Sequence, residues 1–166
     1  TRLYEGQQQA ALEAAREASN RIAKLLIPTG YYLLEGYAGA AEVYLRLWEA
    51  GGLPGAEQRT LTREAIRACR ALRWFGLFFP IGRPHVLLWQ GVLDWQRGRT
   101  SRAIQTWRKG LARADQLRMP YVAGLIHAEL GRRLAPDDPS KQVHQDKARE
   151  LLTRLLASDH LPELEK

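Results

Sequence analysis

Six clusters of proline and glycine punctuate this chain, and between them apolar residues recur at three- and four-residue spacing, without the alternating Val, Ile and Thr runs that mark strands. The breakers are Pro28 with Gly30, the GGLPG stretch at 51–55, Pro80 to Pro84, Gly98 to Thr100, Met119 with Pro120, and Ala135 to Pro139. They divide the sequence into about seven helices, an all-α fold. Pro84 and Pro120 suit a first helical turn, where the missing N–H has no intrahelical partner to lose. Ser140 suits an N-cap, where its hydroxyl can accept an orphan N–H. With 166 residues, 45% of them hydrophobic, the chain can bury a full core as one continuous array, and no linker or low-complexity tract splits it.

The second helix, about 31–49, carries Tyr31, Tyr32, Leu33, Leu34, Tyr37, Val43, Tyr44, Leu45, Leu47 and Trp48 around most of its circumference, so neighbours must sandwich it. The first, about 5–26, has a single stripe of Ala11, Ala14, Ala18, Ile22 and Leu25 and should cover one side only. Charge-free stretches reach about ten residues where a membrane span needs roughly 20, and no membrane partner is expected. One cysteine, Cys69, excludes an internal disulfide. The N-terminus begins at Thr1 and not at Met and lacks a basic region followed by an apolar core, so a fragment of a longer chain without a secretory signal is expected.

A spacing of small residues organises the middle of the chain. Gly91 is followed by Gly98 after seven positions, Ala103 after twelve, Trp107 after sixteen and Gly110 after nineteen. This resembles the tetratricopeptide repeat, a helix, a turn and a second helix in about 34 residues, and it implies a right-handed superhelix of antiparallel helix hairpins. Gly91 and Ala103 would let two helix backbones approach while Trp107 fills the space beside them. The stripe recurs as Ala148, Leu152 and Leu155 after Gly124 and Gly131, and as Ala65, Cys69 and Leu72 after Ala41, each with twelve extra residues. Insertions at 51–61 and 132–145, able to fold into the groove, are the expected cause. Ala18, Ile22 and Leu25 repeat the stripe without a first helix. The units are therefore 5–27 as a half repeat, 29–79, 84–117 and 118–158, within one domain over 1–166. A plain bundle with aligned apolar stripes would share the helices but not the stacking.

The strings TGYYLLEGYAGAAEVYLRLWEA at 29–50 and WQRGRTSRAIQTWRKGLARADQLRMPYVAGLIHAELGRRL at 95–134 carry a closer likeness. They resemble the C-terminal helical-repeat region of bacterial signalling proteins in which a class III nucleotide cyclase or a serine/threonine kinase domain precedes an AAA- or STAND-type ATPase module. That resemblance implies a cytoplasmic regulatory or scaffolding segment, with any catalysis upstream. No phosphate loop and no kinase motif is present.

Nothing in the sequence itself assembles a catalytic site, and no cofactor or metal is expected. His85, His127, His144 and His160 are far apart and lack HExxH or CxxC spacing. His127 and Glu129 form an HxE, but the PCxxC of a zinc deaminase is missing, so His127 should be half buried and Glu129 should face solvent. Cys69, at the stripe position of Trp107, should be a buried small hydrophobe with a raised thiol pKa.

In a tetratricopeptide array the first helix of each hairpin lines a concave peptide groove. The resemblance places His85, Leu88, Val92, Trp95 and Gln96 there from one unit and Tyr121, Leu125, Ala128 and Glu129 from the next, with Trp95 and Tyr121 as aromatic anchors. A protein or peptide partner, such as another domain of the parent protein, is expected, and a non-catalytic interaction scaffold. Charge supplies an alternative. The net charge is +7, with 58–118 contributing +10 and both flanks slightly acidic. Arg63, Arg67 and Arg70 share a helical face, and Arg97, Arg99 and Arg102 crowd a turn, a pattern suited to nucleic acid or an anionic ligand.

Overall fold

A computed structural model of the chain describes the backbone of residues 2–23, 28 and 30–159 and the side chains of 9–22, 28 and 30–154. Seven α-helices occupy the described residues: α1 (Arg2–Ala23), α2 (Leu34–Ala50), α3 (Gly55–Phe78), α4 (Arg83–Gln96), α5 (Thr100–Gln116), α6 (Pro120–Arg133) and α7 (Ser140–Asp159). One-turn 3₁₀ segments at Tyr31–Leu33 and Pro80–Gly82 lead into α2 and α4, and no strand occurs among the described residues. None of these helices is long and apolar enough to cross a membrane.

The turns follow from local chemistry. Gly98, at φ +72°, closes α4 in a left-handed cap in which its N–H donates to the Trp95 carbonyl at 2.8 Å and the Arg99 N–H to that of Asp94 at 2.9 Å. The same pair of bonds ends α5 around Arg118, a non-glycine residue at φ +54°, before Pro120 opens α6. At α7 the capping side chain is not the expected one. Ser140 is the first helical residue, and the Asp138 carboxylate accepts from both its N–H at 2.8 Å and its hydroxyl at 2.5 Å.

Packing pairs α2 with α3, α4 with α5 and α6 with α7 most extensively, and links α3 to α4 and α5 to α6. The first helices of successive pairs also touch, α2 on α4 and α4 on α6. One core runs from Ala15 to Leu134, with Tyr44, Phe75, Trp89 and Trp107 its largest fully buried side chains. The sandwiched second helix is as expected: α1, α3 and α4 all pack on it, and of its large apolar residues only Tyr31 and Tyr32 at its start stand in solvent. The inner face of α1 differs from the expected stripe. Ala15 is its buried residue, with Leu12 and Ile22 packed beside it, while Ala14 is exposed; Leu25 lies outside the described residues.

The stripe of small residues does create close approaches. A Cβ on Gly91 would fall 2.3 Å from Trp107 Nε1, and one on Gly124 would fall 3.0 Å from Leu152, the residue at the equivalent stripe position. Leu155 has no described side chain. The two twelve-residue excesses are not inserted loops. Most of the extra length prolongs the helices of each hairpin, so that α3 already runs from Gly55, ten residues before Ala65, and only the short segments 51–54 and 134–139 connect the arms. Longer arms gain hydrogen-bonded turns, whereas a long loop would leave backbone polar groups to find other partners.

Candidate functional site

The side of the molecule expected to form an open groove is filled. Leu88 and Val92 on α4 are fully buried and His85 is 7% exposed, so these three hold helices together and line no surface. Trp95 is half-buried under a guanidinium: Arg133 stacks 5.1 Å above its ring and 5.7 Å from that of Trp107, and the two rings lie 6.0 Å apart. Gln96, Leu125 and Ala128 are half-buried, and Tyr121 alone among the expected groove residues is well exposed, at 55%.

Glu129 is the centre of what fills this side. It is 2% exposed and does not face solvent, because its carboxylate meets Arg46 of α2 at 2.7 Å, Arg133 at 2.8 Å and Arg132 at 3.0 Å. Glu49 extends the lattice, pairing with Arg133 at 2.6 Å and with Arg132 and Arg46 at 3.2 Å each. Arg46 in turn stacks 5.4 Å over Trp89 of α4. The network thus ties α2 to α6 across α4. Burial alone would raise the Glu129 carboxyl, but the charge of Arg46, the hydrogen bond and charge of Arg133 and the hydrogen bond of Arg132 outweigh it and hold it below its ordinary value.

The expected basic residues divide by their partners. Arg99 and Arg102 flank the fully buried carboxylate of Asp94, at 3.8 and 3.2 Å. Neither contact has hydrogen-bond alignment, so the attraction is ionic. These two arginines neutralise an internal charge, and Arg97 lies close enough to Cys69 to act on its thiol. On α3, Arg67 pairs with Glu64 at 3.2 Å, while no carboxylate among the described residues reaches Arg63 or Arg70. Arg59 and Arg73 occupy the same exposed face, in the same condition. At its C-terminal end that face turns apolar, with Trp74 48%, Leu77 64% and Phe78 45% exposed and the Trp74 and Phe78 rings packed edge to face at 5.0 Å. Ile81 and, across Gly82 and Leu34, Tyr31 and Tyr32 stand exposed at this same end of the molecule. Composition could have flagged the arginines, but not which of them an internal carboxylate would claim.

Two histidines that are distant in sequence meet. His127 Nδ1 on α6 and His144 Nδ1 on α7 are 2.7 Å apart, so one ring donates and the other accepts, and both cannot be charged. Burial is the main cause holding both below the ordinary histidine value; at His127 the charge of His144 and, more weakly, that of Lys147 act with it against Asp115, and at His144 the charge of Arg108 acts with it against Asp138. The folded chain therefore binds fewer protons here than the unfolded chain, and its stability falls as pH drops below the ordinary value of 6.5. Thermal melting at about pH 7.5 and about pH 5.5 should show a shallower acid loss for His144→Gln than for the unaltered chain. Equal losses would show that the pair does not carry the dependence. No group of three or more potential metal ligands occurs among the described residues. Cys69 is 5% exposed, and burial pushes its thiol up to about 12, in keeping with its stripe position.

No family model, curated protein or solved structure matches the chain.

Proposed function

We propose that the chain is a tetratricopeptide-like array of helical hairpins serving as a non-catalytic protein-interaction scaffold. The observation that carries this reading is the repeated contact between a glycine of a first helix and the bulky residue at one stripe position of the second, Gly91 with Trp107 and Gly124 with Leu152. Each contact closes one hairpin from within, and hairpins built alike that pack on one another, as α3 does on α4 and α5 on α6, extend by addition, so that an extended array offers surface in proportion to its length. Because an ionic lattice occupies the inner side, recognition falls to the outer face, where α3 exposes aromatic residues beside arginines.

Selection of a random peptide library on the folded chain tests this reading. Enrichment of one or more peptide families that Trp74→Ala weakens, with the helical circular dichroism unchanged, is the expected result. A folded chain that enriches nothing over an unrelated helical protein would refute it. The second reading, a nucleic-acid or anionic-ligand module, draws on the arginines of α3 that lack carboxylate partners among the described residues. It requires a complex with DNA or RNA whose affinity falls steeply with salt.

A further inference from the structure

We infer that the outer ridge of α3 is a docking site for an acidic segment of a partner protein that ends in a large apolar side chain. This rests on the interaction reading above and names its site and ligand class. Arg59, Arg63, Arg67, Arg70 and Arg73 follow one another at spacings of four, four, three and three, so they lie along one helical face, and all five are exposed. Like charges one turn apart on a helix repel. Only Arg67 has a carboxylate beside it among the described residues, Glu64 at 3.2 Å. Compositional bias toward arginine does not account for this pattern, because α7 of the same chain balances its charges locally, with Lys147 and Glu150 at 2.7 Å and Arg149 and Asp146 at 3.1 Å. A row of cations left without internal partners is complementary to an external row of anions.

The apolar end of the ridge fixes the rest of the ligand. Trp74 and Phe78 brace each other at 5.0 Å, which makes a preformed aromatic edge of the kind that anchors an apolar side chain at an interface. From Arg59 to Phe78 the ridge runs about 29 Å at 1.5 Å per residue, a distance that an extended peptide of roughly ten residues covers.

Geometry also separates this ligand from the others that arginine attracts. A bilayer that takes up the aromatic end with α3 upright would leave Arg59 about 21 Å from Arg73 along the helix, beyond a Debye length of about 8 Å, with most of the row unused. A nucleic-acid duplex would meet one convex row a single helix wide, with the apolar end idle. A second copy of the chain would bring the same arginines against themselves. A peptide lying along α3 uses both halves.

Fluorescence anisotropy with synthetic peptides and the full chain tests this. The probe is a labelled peptide of five glutamates followed by Leu-Phe-Leu, and its comparators are the same peptide with glutamine for glutamate, a single-stranded oligonucleotide and phosphatidylserine vesicles. The acidic peptide should bind tightest. Arg63→Gln combined with Arg70→Gln should weaken it about three- to tenfold and flatten its dependence on salt between about 50 and 200 mM. Trp74→Ala should weaken it about tenfold with the salt dependence unchanged. Both variants alter exposed side chains, and an unchanged melting curve confirms that each is folded. Equal binding of the glutamine peptide, or tighter binding of oligonucleotide or vesicles, overturns the inference. If library-selected peptides bind while the acidic probe does not, this site assignment falls and the scaffold reading stands; if no peptide binds, both fall.

Discussion

Replacing Gly91 by alanine should destabilise the chain by about 2 kcal/mol, although the same change in an open helix would stabilise it. The new methyl would sit 2.3 Å from Trp107 Nε1 and 2.6 Å from two further ring atoms. The ring has nowhere to retreat. It is fully buried, its Nε1–H donates to the Leu88 carbonyl at 3.0 Å, and Trp95 and the Arg133 guanidinium lie on it at 6.0 and 5.7 Å. Overpacking of this kind costs about 1–3 kcal/mol, and distortion of the indole hydrogen bond adds about 1 kcal/mol, against which alanine regains about 1 kcal/mol of helix propensity.

Gly39 supplies the control, since nothing lies within 4 Å of a Cβ built there. Gly39→Ala in the interior of α2 should therefore gain about 0.5–1 kcal/mol. Gly124→Ala falls between them, because its contacts are looser than those of Gly91, 3.0 and 3.1 Å from the Leu152 side chain and 3.3 Å from Leu151 Cβ. Urea unfolding midpoints at unchanged slope would order the three variants. If Gly91→Ala proved as stabilising as Gly39→Ala, the close approach of α4 to α5 would be wrong.

That ordering marks the part of the fold that is legible in the sequence. Gly91, Gly98, Gly110 and Gly124 can be read because each answers a local demand, a turn with positive φ or a backbone contact at a fixed offset, and such demands leave a periodic trace. Helix limits are readable for the same reason, since proline and glycine act within a turn of where they stand. The identity of the buried charges is not. Glu129 is one carboxylate among many, and what reaches it from α2 is Arg46, more than 80 residues away in sequence, with Glu49 bound beside it to Arg133, so by pattern it belongs to a solvent face. The resemblance places Trp95 in an open groove, and no periodicity announces that Arg133 covers it. His127 and His144 likewise meet only because α7 returns along α6. The region most affected by these distant pairings, where α2 and α6 meet across α4, is therefore the one that pattern describes least well, while the α3 ridge, a property of one helix, is half visible as Arg63, Arg67 and Arg70.

Glu129→Gln should be among the most damaging single substitutions, at about 3 kcal/mol, because it removes the anion around which three arginines are arranged. The neutral amide keeps the shape of the side chain, so the loss reports charge and not volume. Arg133, whose side chain is 7% exposed, would be left with Glu49 as its remaining anion, and Arg46 would lose its 2.7 Å contact. Arg132→Gln is the contrast. Its side chain is 48% exposed, so water already screens its pairing, and the change should cost less than about 1 kcal/mol.

Acid provides the second signature. The Glu129 carboxyl is held below its ordinary value of 4.5 in the folded chain, so the unfolded chain takes up a proton first as pH falls. Its stabilisation is complete above that ordinary value and drains away as pH descends through the native one. The glutamine variant has no such contribution to lose. Stability curves of the two proteins, separated by about 3 kcal/mol at neutral pH, should thus converge below pH 4.5. Parallel curves across that range would mean that the variant's cost comes from packing, and that the lattice joining α2 to α6 across α4 does not depend on the Glu129 charge.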